Sequence, residues 1–178
     1  MDNERSSPPD PRRLAKLGDL VGLTAFYPLF SVVGYLAGSL VLLLSSRVYL
    51  IVLLAAMAHA TWALSWPRPG RARAAGALFG ASAAALAAEL LAPQGNLASA
   101  LGSVGEVLPM AVIGLLAHDV AKATPIGSKL DRLGGLTVLG SFLVVIREPV
   151  TVLLGLVLMT LGLGGISQHL RNLASRFR

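Results

Sequence analysis

The chain contains no cysteine in 178 residues. That excludes a disulfide framework, thiolate metal sites and thiol catalysis. Charge is also scarce. Only 13% of residues are Asp, Glu, Lys or Arg, against roughly 25% in a soluble domain. No polar stretch is long enough to build a separate globular domain. Familiar catalytic signatures are missing as well: no Gly-x-x-x-x-Gly-Lys-Ser/Thr loop, no His-Glu-x-x-His and no nucleophile elbow. No cofactor or metal site is therefore expected. What is abundant is apolar surface, with 54% hydrophobic residues and a mean hydropathy of +0.71. These values describe an all-α integral membrane protein, multi-pass in the cell membrane, with the lipid bilayer as its first partner. The net charge of +6 is then a matter of topology rather than of nucleic-acid binding.

Residues 1–18 read as a polar cytoplasmic tail with Pro8, Pro9 and Pro11. A single transmembrane domain follows over residues 19–167, in halves of about 19–92 and 97–167, and residues 168–178 form a basic tail. Leu20–Ser46 is free of charge and longer than the ~20 residues a crossing needs, so a break is expected near Pro28 or Gly34. Val48–Trp66 reads as a second span, anchored at the interface by Trp62 and Trp66. Ala74–Ala92 is a third, with Gly76 and Gly80 at a spacing that lets helices approach. A fourth covers roughly Leu97–Ala121. Lys122–Arg132 reads as a polar loop. The tract Leu133–Ile166 would be about 50 Å long as one helix, too much for a ~30 Å core, so two spans turning near Arg147–Pro149 are expected.

With six spans and both termini cytoplasmic, every Lys and Arg except Arg47 and Arg147 falls on one face, as the positive-inside rule requires. A pattern occurring twice adds to this: VVGYLAGSL from Val32 and VIGLLAHDV from Val112, aligned on Gly34 and Gly114, with Pro28 and Pro109 upstream. Halves of three crossings each must be inverted relative to one another, so a 3+3 inverted repeat is expected, with broken helices and sites between the repeats.

Ionisable groups within the apolar stretches are functional candidates because each costs several kcal/mol there (~3 or more). They are His59, Glu89, Glu106, His118 and Asp119. Glu89 and Asp119 lie near span ends and could face headgroups. His59 reads either as a functional imidazole or as a neutral packing residue. Glu106, just before Pro109, could line a polar cavity or carry a proton; it could equally be a shallow carboxylate partnered by Arg47 or Arg147. His118 and Asp119, followed by Lys122, put three polar groups where a soluble partner could meet them. Ser31, Ser39, Ser103 and Ser141 read as small packing residues.

At the two glycine motifs, Val32-Val33-Gly34-Tyr35-Leu36 and Val112-Ile113-Gly114-Leu115-Leu116-Ala117-His118-Asp119 with Lys122 behind, the chain resembles the small membrane subunit of poly-γ-glutamate capsule synthesis, the CapC/PgsC family. That family carries proline where Val33 and Ile113 stand here, and asparagine in place of His118. The resemblance implies a non-catalytic subunit of a polymer synthesis and export complex, working with a cytoplasmic ATP-dependent amide ligase and an anionic polymer. In this reading His118, Asp119 and Lys122 face the ligase. The residues by themselves equally allow a small homo-oligomeric secondary transporter or channel with Glu106, and His59, in its pathway. A third reading, a membrane-packing protein whose polar residues only join helices, also stands.

Overall fold

The computed structural model describes residues 10–64, 68–92, 95–124, 127–146 and 148–177. Among them there is helix and no strand. The helices are α1 (Pro11–Thr24), α2 (Phe26–Leu36), α3 (Leu40–Trp62), α4 (Pro69–Leu91), α5 (Asn96–Lys122), α6 (Gly127–Val145) and α7 (Pro149–Arg176). Five helical stretches are long and apolar enough to cross a membrane: α1 and α2 together, α3, α4, α5 and α7. The protein is thus a multi-pass helical membrane protein. α6, at 19 residues, carries Lys129, Asp131 and Arg132 near its start.

The first apolar stretch divides differently from its hydropathy profile. The helix begins at Pro11, inside the expected tail, because Asp10 caps it by accepting from the Arg12 N–H and Leu14 and Leu17 are buried. It is interrupted at Ala25, where Pro28 has no N–H to offer the Thr24 carbonyl one turn back. The chain then turns at Gly38, whose φ of +60° suits a residue without a Cβ. Ser39, expected to be mere packing, caps α3 by accepting from the Leu42 N–H at 3.4 Å. This turn needs no charge, so Arg47 lies inside α3 rather than between two spans. Gly34 does not break the helix; it packs, with a Cβ there meeting Leu43 at 3.1 Å. Nor does Pro109, since α5 runs unbroken through it.

Two other segments are more helical than expected. Most of the Lys122–Arg132 loop belongs to α6, and the basic tail continues α7 with Leu170 and Ala174 buried. Arg147 and Trp66 lie outside the described residues; Trp62 is exposed.

Each helix packs against the next in sequence, and α7 closes the ring against α1 and α2. Between helices in lipid the attraction is close packing rather than hydrophobic burial, and small residues set the approach. Gly140 and Gly155 face each other across α6 and α7: a Cβ on Gly155 would lie 2.5 Å from the Gly140 carbonyl oxygen. Gly114 and Gly134 do the same for α5 and α6, with 3.1 Å from a Gly114 Cβ to the Gly134 oxygen. Of the expected Gly76/Gly80 pair only Gly76 is at a contact, against the Ala58 carbonyl, while Gly80 has open space. Several hydroxyls inside the bundle are satisfied on their own helices, as in Thr61 donating to Met57 C=O at 2.7 Å and Thr137 to Leu133 C=O at 3.0 Å, while Ser167 on α7 donates across to the Gly18 carbonyl of α1 at 2.7 Å.

The two ends of the bundle differ. At one end lie the start of α1, the end of α3, the start of α4, the end of α5, the start of α6 and the end of α7. This basic end is stitched by Arg13 donating to the Ala63 carbonyl, Arg71 with Asp119, His118 with Asp131 and Arg171 with Asp19. At the other end lie the Gly38 turn and the α4–α5 and α6–α7 connections.

Candidate functional site

Three charged side chains from three helices converge in the half of the bundle away from the basic end. Arg47 closes the second turn of α3. Glu89 is in the last turn of α4. Glu106 lies about 15 Å from the start of α5, at ~1.5 Å per residue. The Arg47 guanidinium pairs with Glu89 through Nη1 and with Glu106 through Nη2, the latter at 3.5 Å. Glu89 and Glu106 side chains are only 14% and 20% exposed. Such carboxylates need a cation nearby, because burying them unpaired costs more than a helix interface returns.

Glycine makes the space. A Cβ on Gly102 would stand 2.5 Å from Glu89 Oε1, so the carboxylate rests on a bare stretch of α5. Tyr27, buried on α2, turns its hydroxyl toward Glu106 and Ser31. The cluster opens on a cleft of about 420 Å³, lined also by Ser99, Ser103 and Val144. Ser103, expected as packing, donates to the Ser99 carbonyl on the cleft wall.

Beyond the charges the same helix faces turn apolar. On α3 the buried residues after Arg47 include Leu50, Leu54 and Met57; on α5 those after Glu106 include Met110, Ile113 and Ala117. Where Met57 and Ile113 meet Leu17, Val21 and Ile166, the remaining void is about 10 Å³, at the lower limit for one water. This closely packed apolar plug lies about two to three helical turns from the charges along α5 and α3.

The expected site residues do not form one constellation. Glu106 joins the cluster. His118 and Asp119 point apart, because adjacent residues on a helix do not share a face. Asp119, 8% exposed, is held by Arg71 at 2.6 Å, and His118 Nδ1 lies 2.8 Å from Asp131. Only Lys122 of that trio is exposed without an ion pair among the described residues. His59 is exposed in the last turn of α3, apart from the cleft. Tyr35 is also exposed, Pro28 and Pro109 are buried, and Gly34 and Gly114 serve helix contacts. Among the described residues no three His, Asp or Glu side chains are placed to hold a metal.

The sequence offers Arg47 as one of two partners for a shallow Glu106, and the structure brings those two together, but it gives no sign that Glu89 joins them, and its hydropathy does not place Arg47 inside a helix. The signal for that last point was present in Gly38-Ser39, a turn and cap pair eight residues upstream that puts Arg47 inside the next helix. Compared with protein-family models, curated proteins and solved structures, the chain matches none.

Proposed function

We propose that the protein is a small secondary transporter or channel whose pathway enters at the Arg47–Glu89–Glu106 cleft and is closed by the Met57–Ile113 plug. The observation that carries this reading is the ion cluster on an open polar cleft, with a closely packed apolar layer farther along the same faces of α3 and α5. Charged groups are maintained inside such bundles chiefly along ion or substrate pathways, and apolar constrictions gate by excluding water.

In this reading the chain crosses six times, α6 included, with both termini on the basic, cytoplasmic side. Support comes from the contacts of α6 along both α5 and α7 and from the basic residues gathered at one end. The sequential ring is the order that a 3+3 inverted repeat would have. Gly34 packs on α3 and Gly114 on α6, in each half the next helix. Because the chain lacks cysteine, orientation is testable by a single one. Gly70→Cys, at an exposed site with open space around it, is expected to label only after cells are permeabilised. Labelling in intact cells reverses the orientation.

The pathway itself is tested with the purified protein in dye-loaded liposomes, with protons and monovalent ions as probes. Met57→Ala/Ile113→Ala is expected to raise ion leak on the order of tenfold by wetting the plug, and Glu106→Gln to lower that leak. If the double variant leaks no more than the wild type, the cleft is not a pathway.

A second reading is favoured by the likeness at Gly34 and Gly114: a membrane subunit of a poly-γ-glutamate-type synthesis and export complex. Exposed Arg68, Arg73, Lys122, Lys129 and Arg132 at the basic end would attract an acidic polymer or partner. Asp119 is already engaged by Arg71, so Lys122 rather than Asp119 is the contact residue on this reading. Co-purification of an ATP-dependent amide ligase, lost in Lys122→Glu, supports it; recovery of the protein alone favours the transporter.

A further inference from the structure

We propose that the groove between α4 and α5 at the basic end binds one anionic phospholipid, with its phosphate at Arg71 and an acyl chain running inward between the helices. This rests on the protein being a membrane protein, and it is independent of whether the cleft is a pathway.

The groove arises from two matching stripes. On α4, Arg71, Ala75 and Leu78 recur at the three- and four-residue spacing that puts side chains on one face; on α5, Val112, Leu116 and Asp119 do the same. All six line one cavity of about 330 Å³, within the range of about 300–1,000 Å³ typical of ligand pockets. Ala74 and Ala75, being small, leave the hollow that larger residues would fill, and Leu115 and Leu78 form exposed walls at 64% and 38%. Its length is about two helical turns, on the order of 10 Å, directed from the helix ends toward the middle of the bundle. An open apolar hollow of that direction in a membrane protein meets acyl chains.

The mouth decides the headgroup. Arg71 is 58% exposed although one of its nitrogens is held by Asp119, so guanidinium N–H groups remain to donate to a phosphate. Arg68 is the N-cap residue of α4, three residues before Arg71, and Lys122 ends α5, three residues after Asp119, so both stand at the mouth end of the groove. Both are exposed and make no ion pair among the described residues. The Arg71–Asp119 pair is neutral as a unit, so the mouth carries two uncompensated positive charges from Arg68 and Lys122. A zwitterionic headgroup gains little there; a net negative one is attracted by each nearby basic residue.

The test uses the full-length protein in mild detergent, with bound lipid counted by native mass spectrometry and thermal stability followed in parallel. The probes are phosphatidylglycerol and phosphatidylcholine of identical chains, and inorganic phosphate. Phosphatidylglycerol is expected to be retained and to raise Tm, phosphatidylcholine much less, and phosphate not at all. Arg68→Gln/Lys122→Gln is expected to reduce the preference for phosphatidylglycerol more than tenfold, at roughly fivefold per charge. Ala74→Phe, which fills the groove from an exposed position and leaves every charge in place, is expected to weaken retention of both lipids. The lipid-free Tm of each variant shows that the bundle still folds. Equal retention of the two lipids by the wild type overturns the proposal. So does unchanged retention in Ala74→Phe, or the full stabilisation from inorganic phosphate alone.

Discussion

Arg47→Met is expected to cost roughly 3 kcal/mol or more of stability, measured as a fall in Tm in detergent. Removing one partner of a buried ion pair leaves the other charge uncompensated, at about 3–5 kcal/mol. Here the value belongs near the lower bound, since Arg47 is 30% exposed to the cleft and water there screens part of the charge. The loss arises at Glu89, whose carboxylate is seated on Gly102 by the close approach of α4 and α5 and pairs with Arg47, and at Glu106, 3.5 Å from the same guanidinium. Arg47→Met/Glu89→Gln/Glu106→Gln should recover most of the loss, because neither carboxylate is then left charged beside the missing guanidinium. This recovery separates an electrostatic role from simple loss of packing by the arginine stem. If Arg47→Met is as stable as the wild type, the cluster contributes nothing to folding, and the carboxylates are solvated through the cleft.

Gly155→Leu should be at least as damaging, for a different reason. Its Cβ would lie 2.5 Å from the Gly140 carbonyl oxygen and 3.0 Å from both Leu143 Cβ and Val144 Cγ2. The first of these is backbone, which cannot rotate aside as a side-chain end can. Relief requires α6 to move off α7. α6 is held between α5 and α7 by glycine contacts on both sides. Overpacking typically costs about 1–3 kcal/mol, and more when backbone must shift, so loss of a monodisperse folded species in gel filtration is the expected result. Gly164→Ala is the control. It lies on the same helix, exposed, with nothing within 4 Å, and it should be neutral or stabilising by up to ~1 kcal/mol from helix propensity. Equal behaviour of the two variants would show that the glycines are interchangeable and that the α6–α7 approach does not hold the bundle.

The contrast between these glycines shows what could be read from the chain. Gly76 and Gly80 are alike in sequence, yet only Gly76 touches a neighbouring helix. An alanine-rich helix such as α4 carries no strong stripe to orient it, so which small residues meet α3 depends on how the helices pack. The turn at Gly38-Ser39 was legible in principle, because a glycine followed by a capping serine interrupts a helix whatever the hydropathy says. Hydropathy alone drew the boundary at Arg47, since a charge in an apolar tract resembles a loop when its partners are unknown.

The sequence by itself determined the solvent, the helical class and the segregation of basic residues. These follow from composition and local chemistry: apolar runs that must satisfy their backbone internally, prolines and glycines that interrupt them, and arginines kept at helix ends. The tertiary structure alone decided that Arg47, Glu89 and Glu106 meet, residues distant in sequence with no spacing rule between them. It alone separated His118 from Asp119 by giving each a partner on a different helix. Both outcomes have one cause. In a bilayer a charge is admissible only beside its counter-charge, and which helix supplies that partner is fixed by packing around the ring, where glycine and alanine allow backbones to touch.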